Sequence, residues 1–105
     1  MASAWESFHF AMLELAGADS QRERLIKAYK SNLMRLAKKN VPVELRSEFT
    51  RLVQEIERRP AKYNECTVKN TVDAMDEKEV VAMINSIIRM YDAVTRYQPI
   101  LSSAT

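Results

Sequence analysis

The stretch MDEKEVVAMINSIIRMYDAVTRYQ, residues 75–98, decides how this chain reads. Asp76 followed by Glu79 is a capping box: the aspartate side chain accepts a backbone N–H three residues on, and the glutamate reaches back. Met75 and Val80 flank it at the two positions of a hydrophobic staple. A long helix therefore starts here and is predicted to run to about Gln98, because Pro99 disfavours helical geometry in the residue before it. Wound at about 100° per residue, Val80, Ile84, Ile87, Ile88, Tyr91 and Val94 form one core-facing stripe. Met83, Met90 and Tyr97 add a second row, and with Ile87 and Val94 between them the spacing is 4, 3, 4, 3, that of a coiled-coil seam. The apolar arc is wide for a bundle helix. Opposite it, Ala82, Ser86 and Ala93 are small enough to admit a close neighbour.

Working back toward the N-terminus, the same signals recur. Ser3 with Glu6 is a capping box for a first helix over 4–16, with Gly17 offered as a left-handed C-terminal cap. Trp5, Phe8, Met12 and Leu15 or Ala16 set its buried stripe, and Phe10 falls off it. Ser20 with Glu23 starts a second helix, predicted to end near Asn40, whose apolar face is Leu25, Ile26, Tyr29, Leu33, Leu36 and Ala37. Pro42 suits the first position of a third helix, where its missing N–H would have had no partner. Leu45, Phe49, Leu52, Val53 and Ile56 form that helix's stripe, and Pro60 stops it. Residues 60–66 read as the longest connection. Val68, Val72 and Met75 then suggest a short helical turn after Thr67. The tail beyond Pro99 reads as loose.

Composition agrees with this segmentation. The 105 residues are 47% hydrophobic and 29% charged, close to a globular average, and fit a single domain. One glycine and three prolines supply few tight turns, which favours helices over sheet. The expected fold is all-α, a small bundle of about four long helices plus a short turn, homodimeric through the fourth. No repeat or low-complexity tract interrupts it.

The N-terminus reaches Glu6 without a basic region or an apolar run, which does not read as a secretory signal. The longest apolar run, Val80 to Ile84, is far short of the roughly 20 residues that span a bilayer, so a cytoplasmic location is expected. Cys66 is the sole cysteine and cannot staple the domain; an intermolecular bridge is open to it, and a small apolar residue near a helix start is the simpler role.

Little here points to catalysis. His9 is the sole histidine and lies beside the first helix's apolar stripe, so Cys/His zinc spacing is absent and a Cys66–His9 nucleophile pair has no supporting motif. Gly17 stands alone, which leaves no phosphate loop. Glu48 and Glu55 sit at three- and four-residue spacing from Arg51, Arg58 and Arg59, a pattern of surface ion pairs. No enzyme, metal or cofactor is expected.

Two surfaces remain as candidates. The row Met83, Ile87, Met90, Val94 and Tyr97 is expected to lie outside the monomer core, docking a second copy of the chain or a different protein, since methionine repacks readily against varied partners. The other is a basic face. Residues 20–62 carry twelve bases against five acids. Within the second helix Arg24, Lys27, Lys30, Arg35, Lys38 and Lys39 lie opposite the apolar stripe, suited to phosphates or to an acidic protein surface. Direct base readout finds little support, since the third helix presents Glu44, Glu48, Glu55 and Glu57. The expected function is a small protein-binding regulator or adaptor whose helix fills a partner's groove and occludes that partner's own contact. In size and helical make-up the chain resembles the small antiactivator proteins that sequester bacterial transcription activators, which implies a transcription regulator as the partner. The alternative is a nucleic-acid-associated protein using the basic face, and salt dependence separates the two.

Overall fold

The computed structural model describes residues 3–60 and 66–96, and among these every regular element is helical. Helix α1 is Ala4–Leu15, α2 is Gln21–Ala28, α3 is Arg46–Ile56, α4 is Thr67–Ala74 and α5 is Glu77–Arg96. A π-helical turn, Tyr29–Leu33, continues α2, and 3-10 turns at Lys38–Asn40 and Val43–Leu45 lead into α3. The expected short turn is thus a two-turn helix in its own right. Helix α5 is the hub, packed against α1, α2 and α3, while α1 also covers α2 and the π-turn and α4 lies against α2 and α3.

The helix starts are those the caps specify. Ser3 Oγ accepts the Glu6 N–H at 3.1 Å and Glu6 accepts the Ser3 N–H at 3.3 Å. Asp76 and Glu79 exchange the same pair at 2.8 and 3.3 Å, with Met75 and Val80 both buried as a staple requires. Ser20 Oγ accepts the Glu23 N–H. Cys66 is the N-cap of α4, its sulfur accepting the Lys69 N–H at 3.4 Å.

Several expectations are corrected. Helix α1 ends at Leu15 with Ala16 as its cap, and Gly17 is not left-handed; its N–H bonds the Glu14 carbonyl at 3.1 Å. The buried face of α1 is Ala4, Ser7, Phe8, Ala11 and Leu15, which leaves Trp5 and Met12 half-buried at its margin and Phe10 half exposed. Small residues on that face let α1 approach α2 closely. Pro42 precedes a 3-10 turn, so α3 proper begins at Arg46, with Phe49, Leu52 and Ile56 buried as the stripe requires. Most of the 60–66 connection, Tyr97 and the tail lie outside the described residues.

The largest departure is in the second helix, which does not reach Asn40. Leu25, Tyr29 and Leu33 recur at strict four-residue intervals, and on a 3.6-residue helix each such step drifts about 40° off the stripe. Widening one turn brings Leu33 back to the core: the Met34 N–H bonds the Tyr29 carbonyl at 2.8 Å, five residues back. Asn32 Nδ2 donates to the Ala28 carbonyl at 3.2 Å, taking the acceptor that an α-turn would have used. Ala37 is then extended (φ −73°, ψ 137°), and Val41, before Pro42, is extended too (ψ 136°). The helix is broken before its last seven expected residues.

Candidate docking surface

The described part of the methionine row of α5, Met83 to Val94, does not form an open surface. Ile87, Met90 and Val94 are buried, Met90 at 0% exposure, and Met83 is half-buried against the same core. Helices α1, α2 and α3 all pack against α5. Ser86 Oγ donates to Glu48 at 2.9 Å and Arg89 pairs with the same carboxylate at 3.1 Å, which holds α3 along the small-residue side of α5. The close neighbour that Ser86 admits is therefore a helix of the same chain. The arc's opposite edge is the one left over: Ile84 and Tyr91 are half-buried, Ile88 is 40% exposed and Val81 is exposed. On that side His9 stacks on Trp5 with ring centroids 4.8 Å apart and lies 6.4 Å from Tyr91. His9 thus occupies an aromatic row.

The basic face is also broken up. Arg24 donates to the Leu15 carbonyl at 2.7 Å and to the Asp19 carbonyl at 3.0 Å, closing the C-terminal end of α1. Lys27 pairs with Asp19, whose hydrogen bond and charge hold its amine above the ordinary range. Lys30 lies beside Cys66. Burial pushes that thiol up, but the N–H groups of Lys69 and Val68 and the Lys30 amine outweigh it and leave the thiol below its ordinary 9.0. Arg35, Lys38 and Lys39 make no ion pair among the described residues, and the break at Ala37 takes the two lysines out of helical register with Arg35.

What the break creates is a groove of about 280 Å³ between the π-turn and α3. Its floor is Leu33, Leu36, Phe49 and Val53, and Met34, 47% exposed, forms one lip. Tyr29 closes one end by donating its hydroxyl to Glu57; burial, then this bond, raises the phenol far above its ordinary value of 10. Thr50 Oγ1 is buried in the wall with no partner among the described residues. Lys38 stands at the rim and is shared with an adjoining depression that holds Arg46 and Arg51. Arg46 is pinned by its bonds to the Val41 and Lys39 carbonyls at 2.9 and 3.0 Å. An apolar floor with a cationic shoulder results.

Of the eleven residues singled out from sequence, Lys38 alone lines this groove. Tyr29, Met34, Thr50 and Phe49 were missed as a group because they meet across a turn that an unbroken helix does not contain. The four-residue spacing from Leu25 to Leu33 was the one signal for it. The ion pairs foreseen around α3 are present in part: Glu55 pairs with Arg58, and Arg58 also pairs with Glu79 of α5. No group of three metal-ligating side chains occurs among the described residues, and no described helix is long and apolar enough to cross a membrane. Comparison with protein-family models, with curated proteins and with solved structures returned no match.

Proposed function

We propose that this chain is a protein-binding regulator that seats an acidic amphipathic helix of its partner in the groove between the π-turn and α3, acting by occlusion. The observation that carries this reading is the pairing of an apolar floor with a shoulder of Lys38, Arg46 and Arg51, the only acid lining the groove among the described residues being Glu57, already bonded to Tyr29. An amphipathic helix presents apolar anchors at three- and four-residue spacing, and carboxylates flanking them complement such a shoulder. The π-turn is consistent with the assignment, since such turns are frequent at functional sites, although here it also returns Leu33 to the core. A two-fold seam through the methionine row of α5 forms no part of this reading, because the chain's own core encloses three of its five residues.

The test is fluorescence anisotropy with a labelled amphipathic peptide of about four turns, leucine on one face and glutamate on the other, beside a counterpart carrying lysine for glutamate. The acidic peptide binds and the basic one does not. Met34→Glu and Lys38→Glu each weaken binding about tenfold, the size of one lost anchor or charge contact, whereas Phe10→Glu on α1 leaves it unchanged. Equal binding of both peptides would sink the proposal. A DNA duplex bound more tightly than the acidic peptide, with affinity collapsing between about 50 and 200 mM salt, would favour the nucleic-acid alternative.

A further inference from the structure

The π-turn has a second side. Facing α1 rather than α3, it walls a pocket of about 330 Å³ lined by Ser7 and Phe10 of α1 and by Ser31, Asn32, Arg35 and Leu36, among others. Leu36 lines both this pocket and the docking groove. The pocket exists because the chain turns away from α1 at Ala37, after the widened turn has carried Arg35 to its rim.

Its chemistry is one-sided. Among the described residues the lining contains one cation and no carboxylate. Arg35 makes no ion pair among the described residues, so its full fork of N–H donors is available. Ser7 is 5% exposed and interrupts an otherwise apolar buried face of α1, yet its hydroxyl bonds nothing among the described residues. Ser31 offers a second hydroxyl. Asn32 has given an N–H to Ala28, which leaves its carbonyl oxygen as an acceptor. Phe10, half exposed, and Leu36 supply apolar walls.

We infer that this pocket binds a small organic carboxylate with an apolar body. A carboxylate matches the planar guanidinium fork in shape and in its single charge, where a phosphate dianion would keep an uncompensated charge beside apolar walls. Ser7 and Ser31 donate to the carboxylate oxygens, and the body of the ligand lies against Phe10 and Leu36. The volume is at the small end of ligand sites, which limits the ligand to a small metabolite-sized acid. The inference stands independently of the docking groove, since it uses the opposite side of the turn.

The experiment is a titration of the full chain with benzoate and with hexanoate, followed by amide ¹H–¹⁵N shifts, with benzamide and inorganic phosphate as comparators. Saturable shifts confined to Ser7, Phe10 and residues 31–37, with a dissociation constant in the millimolar range or below for at least one acid, are expected. Arg35→Gln, at an exposed position and so without effect on thermal stability, weakens that binding about tenfold or more, and Ser7→Ala weakens it severalfold. Benzamide binds at least about tenfold more weakly than benzoate, having the same body without the charge. The inference is overturned if neither acid saturates by about 20 mM, if Arg35→Gln binds as well as the native chain, or if phosphate competes as strongly as the carboxylates.

Discussion

Helix α5 keeps one hydrogen-bond register through its 20 residues, while the chain after α2 passes through a π-turn, an extended residue at Ala37 and a 3-10 turn before Val41. Both segments are strongly patterned. In α5 the apolar residues alternate three and four apart, which drifts only about 20° per heptad on a 3.6-residue helix. In the second segment the run of fours from Leu25 to Leu33 does not close on that helix, and the backbone yields instead of the side chains. The consequence is spatial: α5 buries Ile87, Met90 and Val94 against its neighbours while Val81 and Ile88 stay at the surface, and the irregular segment leaves a cavity on each side. The two cavities to which binding is assigned above lie where the repeat fails.

The sharpest way to break that comparison is to place the same charge in each region. Met90→Glu in α5 puts a carboxylate where the side chain is fully enclosed, combining lost apolar burial with an unpaired buried charge. A loss of about 4 kcal/mol or more is expected, a large share of the 5 to 15 kcal/mol by which domains are stable, so helical circular dichroism at 25 °C should fall toward that of an unfolded chain. Met34→Glu, beside the π-turn, should change stability by about 0.5 kcal/mol or less, since that side chain already meets water. If Met90→Glu stayed folded and changed only its mass in solution, the methionine row would be an interface after all.

That contrast also marks where the sequence stopped being informative. Helix starts were legible because a cap is local: Ser3 with Glu6 and Asp76 with Glu79 each find their partner three residues away, and the structure shows both reciprocal pairs. The stripe of α3 was legible for the same reason of short range. Which edge of the α5 arc would be covered was not, because it depends on Glu48, 38 residues from Ser86, drawing α3 to one side. The basic face failed differently. A helical projection shows Arg24 and Lys27 as free charges, and only the path of the α1–α2 connection brings the Leu15 carbonyl and Asp19 against them.

A smaller effect separates the two regions by pH. Tyr29 in the π-turn is buried and bonded to Glu57, and its phenol is raised above 10 in the folded chain, whereas the unfolded chain titrates near 10. A raised folded value contributes stability that is present below the unfolded value and lost as pH climbs through it toward the folded one. Above pH 10 the unfolded state binds fewer protons, so this residue lowers unfolding free energy by up to about 1.4 kcal/mol per pH unit. Urea melts at pH 9, 10 and 11 on the native chain and on Tyr29→Phe measure it, the variant being expected to lose less over that range. Parallel decline in both would mean that the tyrosine is not held neutral by the fold.

The smallest effect concerns Thr50, on the α3 side of the groove. Its hydroxyl is buried with no partner among the described residues, a state that costs about 1 to 3 kcal/mol relative to a satisfied or solvated group. Valine keeps the β-branched shape and nearly the same helix propensity while replacing the hydroxyl with a methyl group. Thr50→Val is therefore expected to stabilise the chain by about 1 kcal/mol, a rise of about 4 °C in Tm for a domain of this size. A fall in Tm would mean that the hydroxyl does find a partner, with water in the groove as the candidate that meets it. In that case the space under the π-turn is hydrated in the free protein, and docking would have to displace that water, which weakens an apolar anchor there and favours a partner residue able to replace the bond.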